Sequence, residues 1–160
     1  MAIIVEDGSI VAGANSYVSE LTLTEYAAAR GITITGPTEA LLINAMDYIE
    51  AQMFIGVKKT AAQGLQWPRS NVYVDGYYIE PTTLPFQLIS AQMTAALAID
   101  AGNGPLAAMT PGIKKEKVDV IEIEYQDGGL TSNLDPKINA ILKKLLVGGG
   151  GVNNFNVVRA

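Results

Sequence analysis

The sequence predicts a mainly α fold: a small bundle of about four helices, with a β-hairpin or strand arm and an extended C-terminal tail. Three observations carry that expectation. Apolar residues recur at helical spacing in stretches near 37–56, 84–102 and 136–147, with a shorter helical stretch ahead of them. Turn signals isolate short β-prone runs between these stretches, Asp75-Gly76 being the clearest. Finally, four consecutive glycines, Gly148, Gly149, Gly150 and Gly151, break the chain before VNNFNVVRA. The expected division is a helical domain over 1–147, with an arm at about 113–126, then a hinge and tail over 148–160.

The first element is a short β-prone run, Ala2 to Val5, followed by a turn at Asp7-Gly8. Thr22-Leu23-Thr24-Glu25 matches a capping box, with a Thr hydroxyl for the free N–H groups and Glu three residues on. The helix it opens stops at Gly31, a residue suited to the left-handed position after a helix. Ile32 to Thr35 is an extended connector.

The central helix is expected to run from Pro37 to Gly56. Proline suits a first helical position, and Glu39 favours the positive helix end. Leu42, Met46, Ile49 and Met53 form an apolar stripe broadened by Leu41, Ala45 and Tyr48, while Phe54 falls on the opposite arc. After it, Trp67-Pro68-Arg69 reads as a chain reversal with Trp67 plugging the core, because large aromatics are mostly buried. The functional alternative is an exposed aromatic anchor.

Val72-Tyr73-Val74 and Tyr77-Tyr78-Ile79 flank Asp75-Gly76 as a hairpin. Its tyrosines suit cross-strand pairing; without adjacent cations they make a poor platform for stacking bases. Leu84-Pro85 opens the third helix, with Phe86, Ile89, Met93 and Ala96 as its stripe and Gly102 at its end. Alanines at 91, 95, 96 and 98 leave room for a close helical neighbour.

Ile121, Ile123 and Tyr125 alternate with Glu122 and Glu124, the period of a half-buried strand. Lys114 to Val118 either pairs with it as a hairpin or precedes it in one long arm. Val120, Ile121, Ile123 and Tyr125 are the residues expected to meet a neighbouring subunit, since an unpaired apolar edge invites association. Asp135-Pro136 opens the last helix, with Ile138, Ile141, Leu142 and Leu145 inward. The glycine run lacks the strand–loop–helix setting and the Lys-Ser/Thr of a phosphate loop, so it reads as a hinge. Beyond it, Val152, Phe155, Val157, Val158 and Arg159 make a docking peptide, apolar enough to bind in extended form.

Composition narrows the chemistry. With no Cys and no His, the chain has no disulfide, no thiolate nucleophile, and neither the commonest metal ligand nor the usual general base. No cofactor, metal or catalytic set is expected. Sixteen acidic residues against 11 basic ones give a net charge of −5, with the lysines dispersed along the sequence, a poor start for gripping phosphates. Hydrophobic residues reach 49% and charged residues only 17%, below the roughly 25% of ordinary domains, which hints at surface hidden between subunits. No apolar run has the roughly 18 residues a membrane helix needs. The first residues lack the basic start of a signal peptide. The expectation is a soluble, non-secreted chain without a membrane partner.

The segments NSYVS, EYAAARG, ALLINAMDYIEAQ, QGLQWPR, LPFQLISAQMTAALA, KKEKVDVIEIEY and PKINAILKKLL, in that order, resemble a family of small tailed-phage proteins encoded among head-morphogenesis genes. Its members carry the label DnaT-like single-stranded DNA-binding protein, and they look like head–tail connector, or adaptor, proteins. The resemblance spans most of residues 15–150; the glycine run and final VNNFNVVRA are its least typical part. It implies a virion structural protein at the head–tail junction, assembled in the host cytoplasm as a homo-oligomeric ring, usually twelvefold. It further implies contacts with the portal protein and with a tail, stopper or terminator protein, and genomic DNA passing through the lumen without specific binding. The other function that the label implies is a single-stranded DNA-binding module.

Overall fold

A helix pair forms the centre of the fold, which is mainly α. In the computed structural model, which describes residues 2–103, 115–118, 121–124 and 136–148, α2 (Thr38–Glu50) lies against α3 (Phe86–Asp100). The shorter α1 (Glu20–Ala28) rests on both, and α4 (Pro136–Leu142) packs on α3. The α2–α3 pair is antiparallel: Gln92 Nε2 donates to the Leu42 carbonyl at 3.2 Å, whereas Asp100 accepts from the Gly36 N–H at 2.7 Å. Gln92 also receives the Tyr17 N–H at 2.9 Å and donates to Ser16 Oγ at 2.8 Å. A buried amide is costly unless bonded, and here it ties the N-terminal segment to the helix pair.

Local sequence explains most boundaries. Ser19, rather than Thr22, caps α1: its side chain accepts from the Thr22 N–H, so the helix begins at Glu20. Gly31 takes φ +65°, and the Ile32 N–H closes on the Ala27 carbonyl, ending the helix as expected. Pro37 and Pro85 sit just outside α2 and α3 in extended conformation. In α3, Leu88, Gln92 and Ala95 are buried with Met93 and Ala96, while Phe86, assigned inward from the sequence, is 72% exposed.

The largest departure from the expected helices concerns α2. It ends at Glu50, six residues before Gly56, so Met53 leaves the stripe and is 75% exposed. Phe54 is buried instead, edge-on to Trp67 with ring centroids 5.9 Å apart. Competing hydrogen bonds explain this. The Met53 carbonyl accepts from Val147 N–H and the Ile55 N–H donates to the Leu145 carbonyl, both at 2.9 Å, drawing the chain into an antiparallel bridge, Phe54 to Leu146. Gly56 then turns with φ +73°; a Cβ there would lie 2.5 Å from the Ser70 carbonyl oxygen and 2.7 Å from Val72 Cγ2, so only glycine fits.

Three two-stranded antiparallel sheets complete the described structure. They are β1 (Val57–Lys58) with β2 (Arg69–Ser70), β3 (Val72–Val74) with β4 (Tyr77–Ile79), and β5 (Lys115–Val118) with β6 (Ile121–Glu124). Asp75 and Gly76 close the second at φ 53° and 85°, as the dipeptide predicts. In the third, Val118 pairs with Ile121 and Glu116 with Ile123, which settles the arm as a hairpin. At the N-terminus, the β-prone run reduces to one bridge, Val5 to Ser16, and Gly8 lies so close to Thr82 that a Cβ would be 1.9 Å from its carbonyl oxygen.

Candidate interaction surfaces

The segment Gln63–Arg69 builds the scaffold under a layer that carries most of the large apolar side chains exposed among the described residues. Trp67 is fully buried, with Pro68 beside it after a cis peptide bond. Arg69, also buried, points back at the turn that follows α2. Its Nε donates to the Ile55 carbonyl at 2.7 Å, Nη2 to Phe54 and Gly56 at 3.2 and 2.8 Å, and Nη1 to Gln66 Oε1 at 2.8 Å. No carboxylate pairs directly with it among the described residues, so burial pulls its pKa below the usual arginine value. Gln63 supports the same loop, donating to the Leu65 and Pro68 carbonyls at 3.0 Å and accepting from the Thr60 N–H.

A second buried network joins this loop to α2. The Tyr17 hydroxyl donates to Glu50 Oε1 and accepts from the Trp67 N–H, and Glu50 Oε2 accepts from the Gln66 N–H at 2.6 Å. Burial raises the Glu50 pKa despite these hydrogen bonds, and it holds the Tyr17 phenol firmly protonated, helped by the adjacent Glu50 charge. Sequence reasoning did not single out Arg69, Gln63, Tyr17 or Glu50. An arginine after Trp-Pro was the only available signal, and its partners are main-chain carbonyls that no side-chain pattern reveals.

These networks present a layer of β ribbons at the C-terminal end of α2. Its segments, 53–58, 69–79 and 144–147, are joined by the Phe54–Leu146 bridge, by β1–β2 and β3–β4, and by a 2.7 Å ion pair from Lys144 to Asp75. Six of the ten large apolar side chains exposed among the described residues lie here: Met53, Val57, Tyr73, Tyr77, Tyr78 and Val147. Tyr73 and Tyr78 are cross-strand partners with ring centroids 5.4 Å apart, and Tyr77 at the hairpin tip is 76% exposed. Although dispersed in the sequence, Lys58, Lys59, Lys143 and Lys144 all fall on or beside this layer, with Asp75 and Glu80 as its acids.

The opposite end of α2 is acidic. Asp100 accepts from the N–H groups of Thr35 and Gly36 and from the Thr35 hydroxyl, and the backbone donors hold its carboxyl below the ordinary carboxylate range. Glu20 accepts from the Thr38 hydroxyl, and Glu39 lies in the first turn. Negative groups suit this positive helix end.

The sequence-predicted site residues divide between described and undescribed parts. Trp67 lies in the core. Gly148 follows Val147 at φ +77°. Ile121 and Ile123 occupy β6, whereas Val120 and Tyr125 lie outside the described residues. So do the hinge residues Gly149, Gly150 and Gly151 and the docking residues Val152, Phe155, Val157, Val158 and Arg159.

Among the described residues no group of three or more acidic, His or Cys side chains could hold a metal ion, and no helix is long and apolar enough to cross a membrane. Neither a curated protein nor a solved structure matches the chain. A family model does, along its whole length: the chain belongs to the family described as "Putative DnaT-like ssDNA binding protein", which matches residues 1–160.

Proposed function

We propose that the chain is a structural subunit of a virion, a ring-forming head–tail adaptor that joins the portal to the tail or to the next connector ring. The observation that carries this reading is the ribbon layer, where six large apolar side chains stand exposed on an acidic chain poor in charge. A lone soluble domain seldom leaves so much apolar surface in one place, whereas subunits of an assembly hide it against one another. The resemblance to phage connector proteins supplies the setting: a homo-oligomeric ring, twelvefold by that analogy, with DNA sliding through it. A channel lined by an acidic protein does not grip phosphates. No enzymatic step, cofactor or metal enters this reading. Electron microscopy of the purified protein, or of the virion, tests it; rings around an open channel are expected, and a monomer that never associates and is missing from virions would refute it.

The second reading is a single-stranded DNA-binding module, and the family's description supports it more directly than it supports the adaptor. The structure adds one observation in its favour: Lys144 reaches Asp75 at the tip of the hairpin carrying Tyr73, Tyr77 and Tyr78. Exposed aromatics beside cations suit base stacking. Against it, Asp75 offsets the cation nearest the tyrosines, Arg69 is spent on internal carbonyls, and Arg30 lies over the Tyr26 ring. Fluorescence anisotropy with a labelled oligonucleotide separates the readings. A salt-sensitive, sub-micromolar affinity near physiological salt establishes the second; its absence leaves the first.

A further inference from the structure

Charge and apolar exposure are segregated along α2 in a way that fits one copy of the chain to the next. The ribbon layer at the C-terminal end of the helix has Lys58, Lys59, Lys143, Lys144 and the buried Arg69 against Asp75, Glu80 and Glu50, so it is locally positive on a chain of net −5. The N-terminal end, about 20 Å away for a 13-residue helix, gathers Glu20, Glu39 and Asp100. Next to it, the outer face of α1 is exposed at Glu20, Leu21, Thr24 and Glu25, positions that share one side of a helix. That face is acidic around an exposed leucine; the ribbon layer is basic around an exposed Met53 and Val147.

We infer that the ribbon layer of one subunit docks on the α1 face of a second copy, with Lys143, and Lys144 in exchange for its exposed partner Asp75, meeting Glu20 and Glu25 around an apolar centre. This rests on the assembly reading and names the two surfaces that meet. The contact is heterologous, joining different patches on the two partners, which is the kind that builds rings when its rotation closes. A nucleic-acid strand is the less suitable occupant. Asp75 and Glu80 stand among the tyrosines, and Met53, Val57 and Val147 offer nothing to a phosphate. For a second copy the same aliphatic groups become the buried centre, and the flanking charges set register and exclude a like-charged approach.

The test is sedimentation velocity of the full chain over a concentration series, with circular dichroism confirming that each variant folds. The double variant K143E/K144E reverses one surface and E20K/E25K the other. Each alone should raise the concentration for half-assembly about tenfold or more, as like charges are brought face to face. Combining all four should restore assembly to within about threefold of the wild type, because the ion pairs return with inverted sign. Met53→Glu, which removes apolar burial and leaves the lysines in place, should also block association. Assembly indifferent to both reversals, or not restored by their combination, overturns the inference while leaving the assembly reading intact. A wild-type chain monomeric at every concentration overturns both. Loss of oligonucleotide binding in K143E/K144E, with unaltered assembly, gives the ribbon layer to nucleic acid and overturns the inference.

Discussion

The Tyr17 hydroxyl meets Glu50 Oε1 at 2.5 Å while accepting the Trp67 N–H at 3.1 Å, so one phenol joins the N-terminal segment, α2 and the Trp67 loop. Tyr17→Phe keeps the ring but leaves a buried N–H without its acceptor and a carboxylate oxygen without its donor. A loss of about 1–3 kcal/mol in urea unfolding is expected. A change below a few tenths would mean that water takes over both roles.

Arg69 should contribute more. Removing it strands the carbonyls of Phe54, Ile55 and Gly56 together, and hydrogen bonds from a charged donor are the stronger kind. Arg69→Met is expected to cost about 3 kcal/mol. Arg69→Lys should recover less than half, since an ammonium cannot span the three acceptors. Full recovery by lysine would show that charge, and not the guanidinium's shape, matters there.

Glu50 gives the fold a pH dependence of definite sign. Its folded pKa is raised by burial above the ordinary 4.5, so the folded state binds the proton more tightly than the unfolded chain. The stabilisation this provides is complete below that ordinary value and is lost as pH rises through the folded pKa. Melting temperatures of the wild type and Glu50→Gln, followed upward from about pH 4, should therefore diverge in slope, the wild type falling relative to the variant. Parallel curves would count against a raised pKa.

Asp100 works in the opposite sense. Its pKa is lowered, chiefly by the Thr35 and Gly36 N–H groups, so its contribution is present above about 3.8 and fades as pH falls through the folded pKa. The melting-temperature gap between wild type and Asp100→Ala should be largest near neutral pH and close in acid. A gap that persists below the folded pKa would mean that the alanine variant disturbs the chain at Thr35 and Gly36 for another reason.

Phe54→Ala and Met53→Ala form a contrasting pair. Adjacent in sequence, one is buried against Trp67 and the other stands in solvent. The first should cost about 3–5 kcal/mol in the isolated subunit and the second almost nothing. Equal costs would restore the longer helix that periodicity suggests.

That pair also shows where sequence reasoning reached its limit. The mainly α class, the positions of α1 to α4 and the Asp75-Gly76 hairpin were legible, because periodicity, helix-ending glycines and turn chemistry are local properties. The end of α2 was not, since it is set by acceptors and donors brought from Leu145, Val147 and Arg69. The cap of α1 was displaced by one turn because Ser19 and Thr22 are both suitable, and their hydroxyls in fact bond each other at 2.8 Å. The ribbon layer was hidden for a similar reason. Strands of two or three residues carry almost no period, and lysines 85 positions apart, such as Lys58 and Lys143, come to one end of the molecule only through the fold.

The amide of Gln92 imposes an order on biosynthesis. Ser16 and Tyr17 find their partner 75 or more positions later, and Gly8 finds its neighbour at Thr82. At about 5–20 residues per second, a ribosome needs on the order of 4–15 s to supply that partner after the N-terminal segment is made. For that interval residues 2–18 lack their α3 partner, and Tyr17 has only Glu50 and the Trp67 loop to hold it. The first tenth of the chain therefore completes its anchoring only after α3 is made, and a nascent chain arrested before α3 emerges will present it incompletely held to chaperones and proteases.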